Sequence, residues 1–91
     1  MVTKMVSRKV VITNPTGLHL RPAGLFCKTA LEFKCKVIFR HRNTEGNAKS
    51  VLSVLGSCIK AGDEIEIICE GADEEAALQT MTELVESGLG E

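Results

Sequence analysis

Two hydrophobic periods alternate along the chain, and the switches between them mark out its elements. Over 6–13 β-branched residues dominate, and Val6, Val10 and Ile12 fall on one side of an extended backbone, which predicts a strand. Asn14-Pro15-Thr16-Gly17 ends it with turn chemistry: a turn-forming Asn, a Pro of fixed φ and a Gly free to take positive φ. Pro22 suits a first helical turn, where its missing N–H would have no partner. Ala23, Phe26, Cys27 and Ala30 then recur on one face and predict a helix through Leu31. Residues 35–42 read as a second strand, with Val37 and Phe39 alternating against Lys36, Ile38 and Arg40, and 43–47 have the composition of a hairpin turn. A short third strand is expected about 45–48, followed by Ser50 as N-cap of the helical stretch Val51–Gly56. Past Ala61-Gly62, Ile65, Ile67 and Cys69 alternate with Glu64, Glu66 and Ile68 in another strand that Gly71-Ala72 closes. The last helix opens on Asp73, Glu74 and Glu75, where the macrodipole favours anions. It buries Ala77, Leu78, Met81, Leu84 and Val85 and stops before Gly88.

The order β-α-β-β-α-β-α predicts an α+β fold: a four-stranded antiparallel sheet with three helices packed on one face. Its other face meets solvent, in keeping with the charges that alternate along the strands. No internal repeat or low-complexity tract is present. With 91 residues and 44% hydrophobic positions, one domain can form a core without metals or disulfides.

Charge narrows the choice of partners. Eleven basic against 12 acidic residues leave a formal charge of −1, which offers no broad attraction to nucleic acid or to an acidic membrane surface. The apolar runs fall far short of the roughly 20 residues that span a bilayer, and no signal pattern precedes them, so a cytoplasmic protein is expected. Cys27, Cys35, Cys58 and Cys69 form no C-x-x-C pair, and buried, reduced thiols are expected rather than a disulfide framework or zinc site. Phe26, Phe33 and Phe39 lie in apolar patterns and are assigned to the core rather than to base stacking. His41, between Arg40 and Arg42, reads as part of a solvated charged face.

Chemistry concentrates in Gly17-Leu18-His19-Leu20-Arg21-Pro22-Ala23, which places an imidazole, a guanidinium and a helix start within one turn of chain. Backbone N–H groups at a helix N-terminus attract anions, so a phosphoryl group on His19 would meet donors and a favourable dipole. The planar fork of Arg21 suits phosphate oxygens. Neutral imidazole has a free lone pair near pH 7, and a positive helix end favours that neutral form.

This heptapeptide resembles the active-site motif of the histidine-containing phosphocarrier (HPr) family, G-[LI]-H-x-R-P-A. Lys49-Ser50-Val51-Leu52 is similar to that family's regulatory-serine segment, and Ile59-Lys60-Ala61-Gly62-Asp63-Glu64-Ile65 and Gly71-Ala72-Asp73-Glu74 to its later signatures. The likeness covers nearly the whole chain, with 1–4 as an N-terminal extension of a single domain. It implies an open-faced β-sandwich that acts as a monomeric carrier with no cofactor or metal. His19 would take a phosphoryl group on Nδ1 from phosphoenolpyruvate through enzyme I and give it to sugar-specific IIA components. Leu20 stands where relatives often have a small residue, and Ser53 and Cys58 where they often have glycine.

Ser50 has two readings that coexist. As an N-cap its hydroxyl bonds a backbone N–H. As a modification site it would carry a phosphate where the helix dipole welcomes charge. In relatives with this serine, an HPr kinase/phosphorylase modifies it, slowing transfer to the histidine and promoting binding to a catabolite-control transcription factor. Helical projection turns Leu25 away from the buried face, so it is expected to be exposed. With Leu20, Val51, Leu52 and Leu55 it would form an apolar docking patch ringed by Arg21, Lys28, Lys49 and Lys60, suited to acidic partners. The family's partner-binding surface lies there. Competing readings are a regulatory-only or nitrogen-type paralogue, and a cysteine-based metal-binding or redox protein.

Overall fold

The computed structural model of the protein describes residues 5–90. In chain order its elements are β1 (Val6–Val11), α1 (Leu20–Ala30), β2 (Lys36–His41), β3 (Thr44–Asn47), α2 (Val51–Gly56), β4 (Glu64–Glu70) and α3 (Glu74–Glu86). The strands form one sheet in the order β1-β4-β2-β3, and every neighbouring pair is antiparallel. The helices cover one face, α3 over β1 and β4 and α1 between α2 and α3. This is the open-faced sandwich expected from the element order. The N-terminal extension read at 1–4 lies outside the described residues.

Alternation decides which side chains enter the core. Val10, Val37, Phe39, Ile65, Ile67 and Cys69 all point beneath the helices and are buried, where Phe26, Ala30, Ala77, Met81 and Val85 meet them. Phe26 of α1 meets Phe39 of β2 edge to face, with ring centroids 6.4 Å apart and planes at 79°. That contact adds about 0.5–1.5 kcal/mol beyond burial alone. Opposite Phe39 stands Gly46, and a Cβ there would lie 2.5 Å from the Phe39 ring, so β3 can cross this ring only as glycine. On the open face Arg40 reaches Glu66 and Glu45 across both neighbouring strands, each at 3.1 Å. Exposed pairs of this kind contribute at most about 1 kcal/mol.

Several local readings change. The hairpin turn is narrower than 43–47: His41 pairs with Thr44, so only Arg42 and Asn43 turn, with Arg42 at φ 56°. Cys35 lies just outside β2. The Asp73 carboxylate accepts from the amides of Lys34 and Cys35, both at 2.8 Å, and makes no cap bond to its own helix. Those amides, Lys34 foremost, hold its carboxyl below the ordinary range. Phe33 is only half-buried, and Cys58 is exposed, contrary to the reading of four buried thiols. Cys58 follows the C-cap Ser57 of α2 with φ 54°, the position after a helix end where glycine is usual. His41 is not solvated either: it is 6% exposed, and its Nε2 lies 3.0 Å from Asp63 Oδ2.

Candidate functional site

The turn after β1 is built by Asn14, Gly17 and Leu18. Asn14 is buried, its Nδ2 donates to the Gly17 carbonyl at 2.7 Å, and its own carbonyl accepts from the Gly17 amide at 3.2 Å. Gly17 has φ +66° and runs so close to the loop after α2 that a Cβ would sit 2.7 Å from the Ile59 oxygen and 2.8 Å from Lys60 Cα. Leu18 follows with its side chain buried and its amide bonded to the Ile59 carbonyl at 3.0 Å. A side chain anchored on one side of this turn directs its neighbour outward, and His19 is exposed.

His19 is the N-cap of α1, extended at φ −83° and ψ −170°, and its side chain does not cap the helix. Its carbonyl accepts the first helical bond from the Ala23 amide at 2.8 Å. The amides of Leu20 and Arg21 lie in the first turn, before any intrahelical acceptor exists for them, and Pro22 has no N–H. An imidazole, two outward amides, the positive end of an 11-residue helix and the exposed Arg21 thus converge on one spot. Such a spot can receive a tetrahedral oxyanion carried on the ring.

The second helix lies antiparallel beside the first. Its C-terminal loop meets Leu18 through Ile59, while the Cys27 thiol donates to the Lys49 carbonyl at 3.1 Å beside its start. Cys27 is eight residues along α1 from His19, so the Ser50 end of α2 stands about 12 Å from the imidazole along the helix axis. Ser50 caps α2 as expected, its Oγ accepting from the Ser53 amide at 3.3 Å.

Of the docking residues, Leu20 (69% exposed), Leu52 (79%) and Lys28 face solvent. Leu25 does not stand fully exposed as helical projection implied; it is half-buried. After α3 the chain closes on itself through Gly88 N to Val85 O and Leu89 N to Leu84 O. Leu89 enters the core, and the backbone at Gly90 comes so close that a Cβ there would be 3.2 Å from Leu25 Cδ2. Val51 and Leu55 are also half-buried against the core, and Lys49 is tied down, its Nζ donating to the Phe33 carbonyl at 2.7 Å. Of the apolar residues expected in the docking patch, only Leu20 and Leu52 are exposed.

Burial raises the Cys35 thiol to about 12 and also raises that of Cys69. Among the described residues no group of His, Cys, Asp or Glu is arranged to hold a metal ion, and no helix is long and apolar enough to cross a membrane.

The family profile described as the PTS HPr component phosphorylation site matches residues 6–87. The chain is 34% identical over 87 residues to the phosphocarrier protein HPr of Treponema pallidum, covering 96% of this chain and 99% of that one. It is also 34% identical over 82 residues to the HPr-like protein Crh of Bacillus subtilis, covering 90% and 96%. The crystal structure of HPr from Thermoanaerobacter tengcongensis superposes with a TM-score of 0.91 at 36% identity, covering 94% and 97%.

Proposed function

The chain belongs to the HPr family of phosphocarrier proteins of the phosphotransferase system, and on that premise we propose that His19 is its phosphoryl acceptor, loaded by enzyme I and unloaded by sugar-specific IIA components in the cytoplasm. The observation that carries this reading is the exposed imidazole at the N-cap of α1, with Arg21 in the same helical turn. The lone pair of the neutral ring attacks phosphorus on phosphorylated enzyme I. A new N–P bond forms as the donor's N–P bond breaks, and the donor imidazole leaves with the bonding electrons. The amides of Leu20 and Arg21 and the Arg21 guanidinium hold the phosphoryl oxygens throughout. Transfer to IIA repeats the exchange in the other direction. Leu20 and Leu52 supply the apolar centre of the surface on which both partners dock, with Lys28 at its rim.

Ser50 is the regulatory site of this reading. A phosphate on its Oγ would lie at the start of α2, beside the docking surface, where added negative charge repels acidic partners without melting the helix. An HPr kinase/phosphorylase would place it and a catabolite-control transcription factor would read it. The similarity to Crh, the catabolite repression HPr of Bacillus subtilis, favours that branch over a nitrogen-type role.

Incubation with phosphoenolpyruvate and enzyme I, followed by mass spectrometry and ³¹P NMR, is expected to give an acid-labile phosphoramidate on the wild type and none on His19→Ala. A phosphoramidate that persists in His19→Ala would overturn the assignment.

A further inference from the structure

On the far side of the loop that supports the His19 turn lies a second polar site. The β2–β3 turn and the segment from α2 to β4 form an open pocket of about 300 Å³, lined among others by His41, Arg42, Thr44, Cys58, Lys60 and Asp63. Its volume is at the small end of the range for small-molecule sites. We propose that this pocket binds a small phosphorylated ligand, separately from the phosphoryl group carried on His19.

The pocket is held rigid by Asp63. Its Oδ2 lies 3.0 Å from His41 Nε2 and accepts from the Lys60 amide at 2.9 Å, which joins the end of β2 to the loop before β4. The carboxylate is thus largely used up by its own scaffold. The Lys60 amide first, and then His41, hold its carboxyl below the ordinary range. Two cations share the same walls. Arg42 is 78% exposed, with Nη2 a distant 3.9 Å from Asp63 Oδ1, and the Lys60 ammonium has no carboxylate within ion-pair distance among the described residues. Two cations against one carboxylate leave a net charge of +1 around the pocket. Concave walls focus that field.

Three residues that carry donors of different kind line the space: Arg42 with its planar fork, Lys60 with its ammonium and Thr44 with its hydroxyl. Tetrahedral phosphate oxygens, which diverge, suit such a tripod better than the two coplanar oxygens of a carboxylate. Arg42 also occupies a left-handed φ of 56°, where asparagine or glycine would cost less, so a cation stands at the pocket mouth against the local preference of the turn.

Titration of the ¹⁵N-labelled protein with pyrophosphate, at ionic strength matched with chloride, tests the proposal. Saturable shifts are expected at the amides of Arg42, Thr44, Cys58 and Asp63. Their midpoint should weaken by about tenfold or more in the double variant Arg42→Gln, Lys60→Gln, corresponding to loss of charge-assisted contacts. Any shift at Leu20 and Arg21 reports phosphate at the His19 site instead and should titrate identically in both proteins. Pocket amides that follow chloride equally, or that shift as strongly in the double variant, would overturn the proposal. Citrate binding as tightly as pyrophosphate would overturn the phosphate class. Arg42→Gln alone, at an exposed turn, provides the same comparison should the double variant not fold.

Discussion

The Leu18 amide donates to the Ile59 carbonyl at 3.0 Å, and through that bond the turn carrying His19 hangs on the loop after α2. Gly17, one residue earlier, allows the approach because it has neither a Cβ nor a penalty for φ +66°. Gly17→Ala would place a methyl group 2.7 Å from the Ile59 oxygen, with only backbone on the other side to give way. The left-handed backbone alone costs about 1–3 kcal/mol, and the clash adds to it. Urea denaturation should show the loss, together with slower phosphorylation of His19 as the turn shifts. A variant with the wild-type midpoint and rate would show that this contact does not position the turn.

Arg21 is exposed and no part of the core cluster, so its replacement separates chemistry from folding. Arg21→Gln is expected to change stability by less than about 0.5 kcal/mol. It should slow phosphoryl transfer from enzyme I by about 10- to 100-fold, the equivalent of one lost charge-assisted bond in the transition state. Arg21→Lys should recover part of the rate, keeping the charge and losing the fork. Stopped-flow transfer assays read both. Wild-type rates in Arg21→Gln would remove Arg21 from the mechanism.

Substitution separates the cap that Ser50 makes from the regulatory role proposed for it. Ser50→Ala removes the acceptor for the Ser53 amide and should cost about 0.5–2 kcal/mol, whereas Ser50→Asp keeps a good cap and should stay within a few tenths of the wild type. In transfer assays the order reverses: Ser50→Asp is expected to slow loading of His19, and Ser50→Ala is not. Equal rates in the two variants would mean that charge at this position does not regulate docking.

The element order and the turn before His19 were legible because both rest on local rules: alternation over 65–69, a helical stripe over 23–30, and Asn, Pro and Gly before His19. What was not legible depends on contacts between segments distant in sequence. His41 sits between two arginines and reads as solvated, yet Asp63, 22 residues later, turns it inward. Asp73 has the look of a helix-start anion, but its carboxylate binds amides 38 and 39 residues earlier. Leu25 lies off the buried face of its own helix and is covered by the far end of the chain. Helical projection sees one element at a time, and each of these residues is decided by a second.

The four thiols should separate cleanly. Cys27, Cys35 and Cys69 are buried, and burial raises Cys35 and Cys69, so little thiolate forms at neutral pH. Cys58 stands exposed after α2. A chromogenic disulfide reagent should therefore titrate one thiol quickly in the native protein and the other three only on unfolding, with the fast phase absent in Cys58→Ser. A fast phase of more than one thiol would mean that at least one of the three buried sites opens readily.

Acid should weaken the fold through Asp63 and Asp73. Both carboxyls are lower in the folded protein than the ordinary value of about 3.9. The unfolded chain therefore binds their protons first as pH falls. The stability they contribute is complete above the ordinary carboxylate range and is lost as pH drops through the lower folded values. Asp63→Asn should melt earlier than the wild type at pH 7, because His41 then keeps its buried position without a carboxylate partner. That gap should narrow as pH falls below about 4, since protonation takes the charge from the wild-type carboxyl as the substitution already has. Thermal melts of both proteins across this range decide the matter: a gap of constant size would mean that Asp63 holds the turn by shape alone and that its charge contributes nothing.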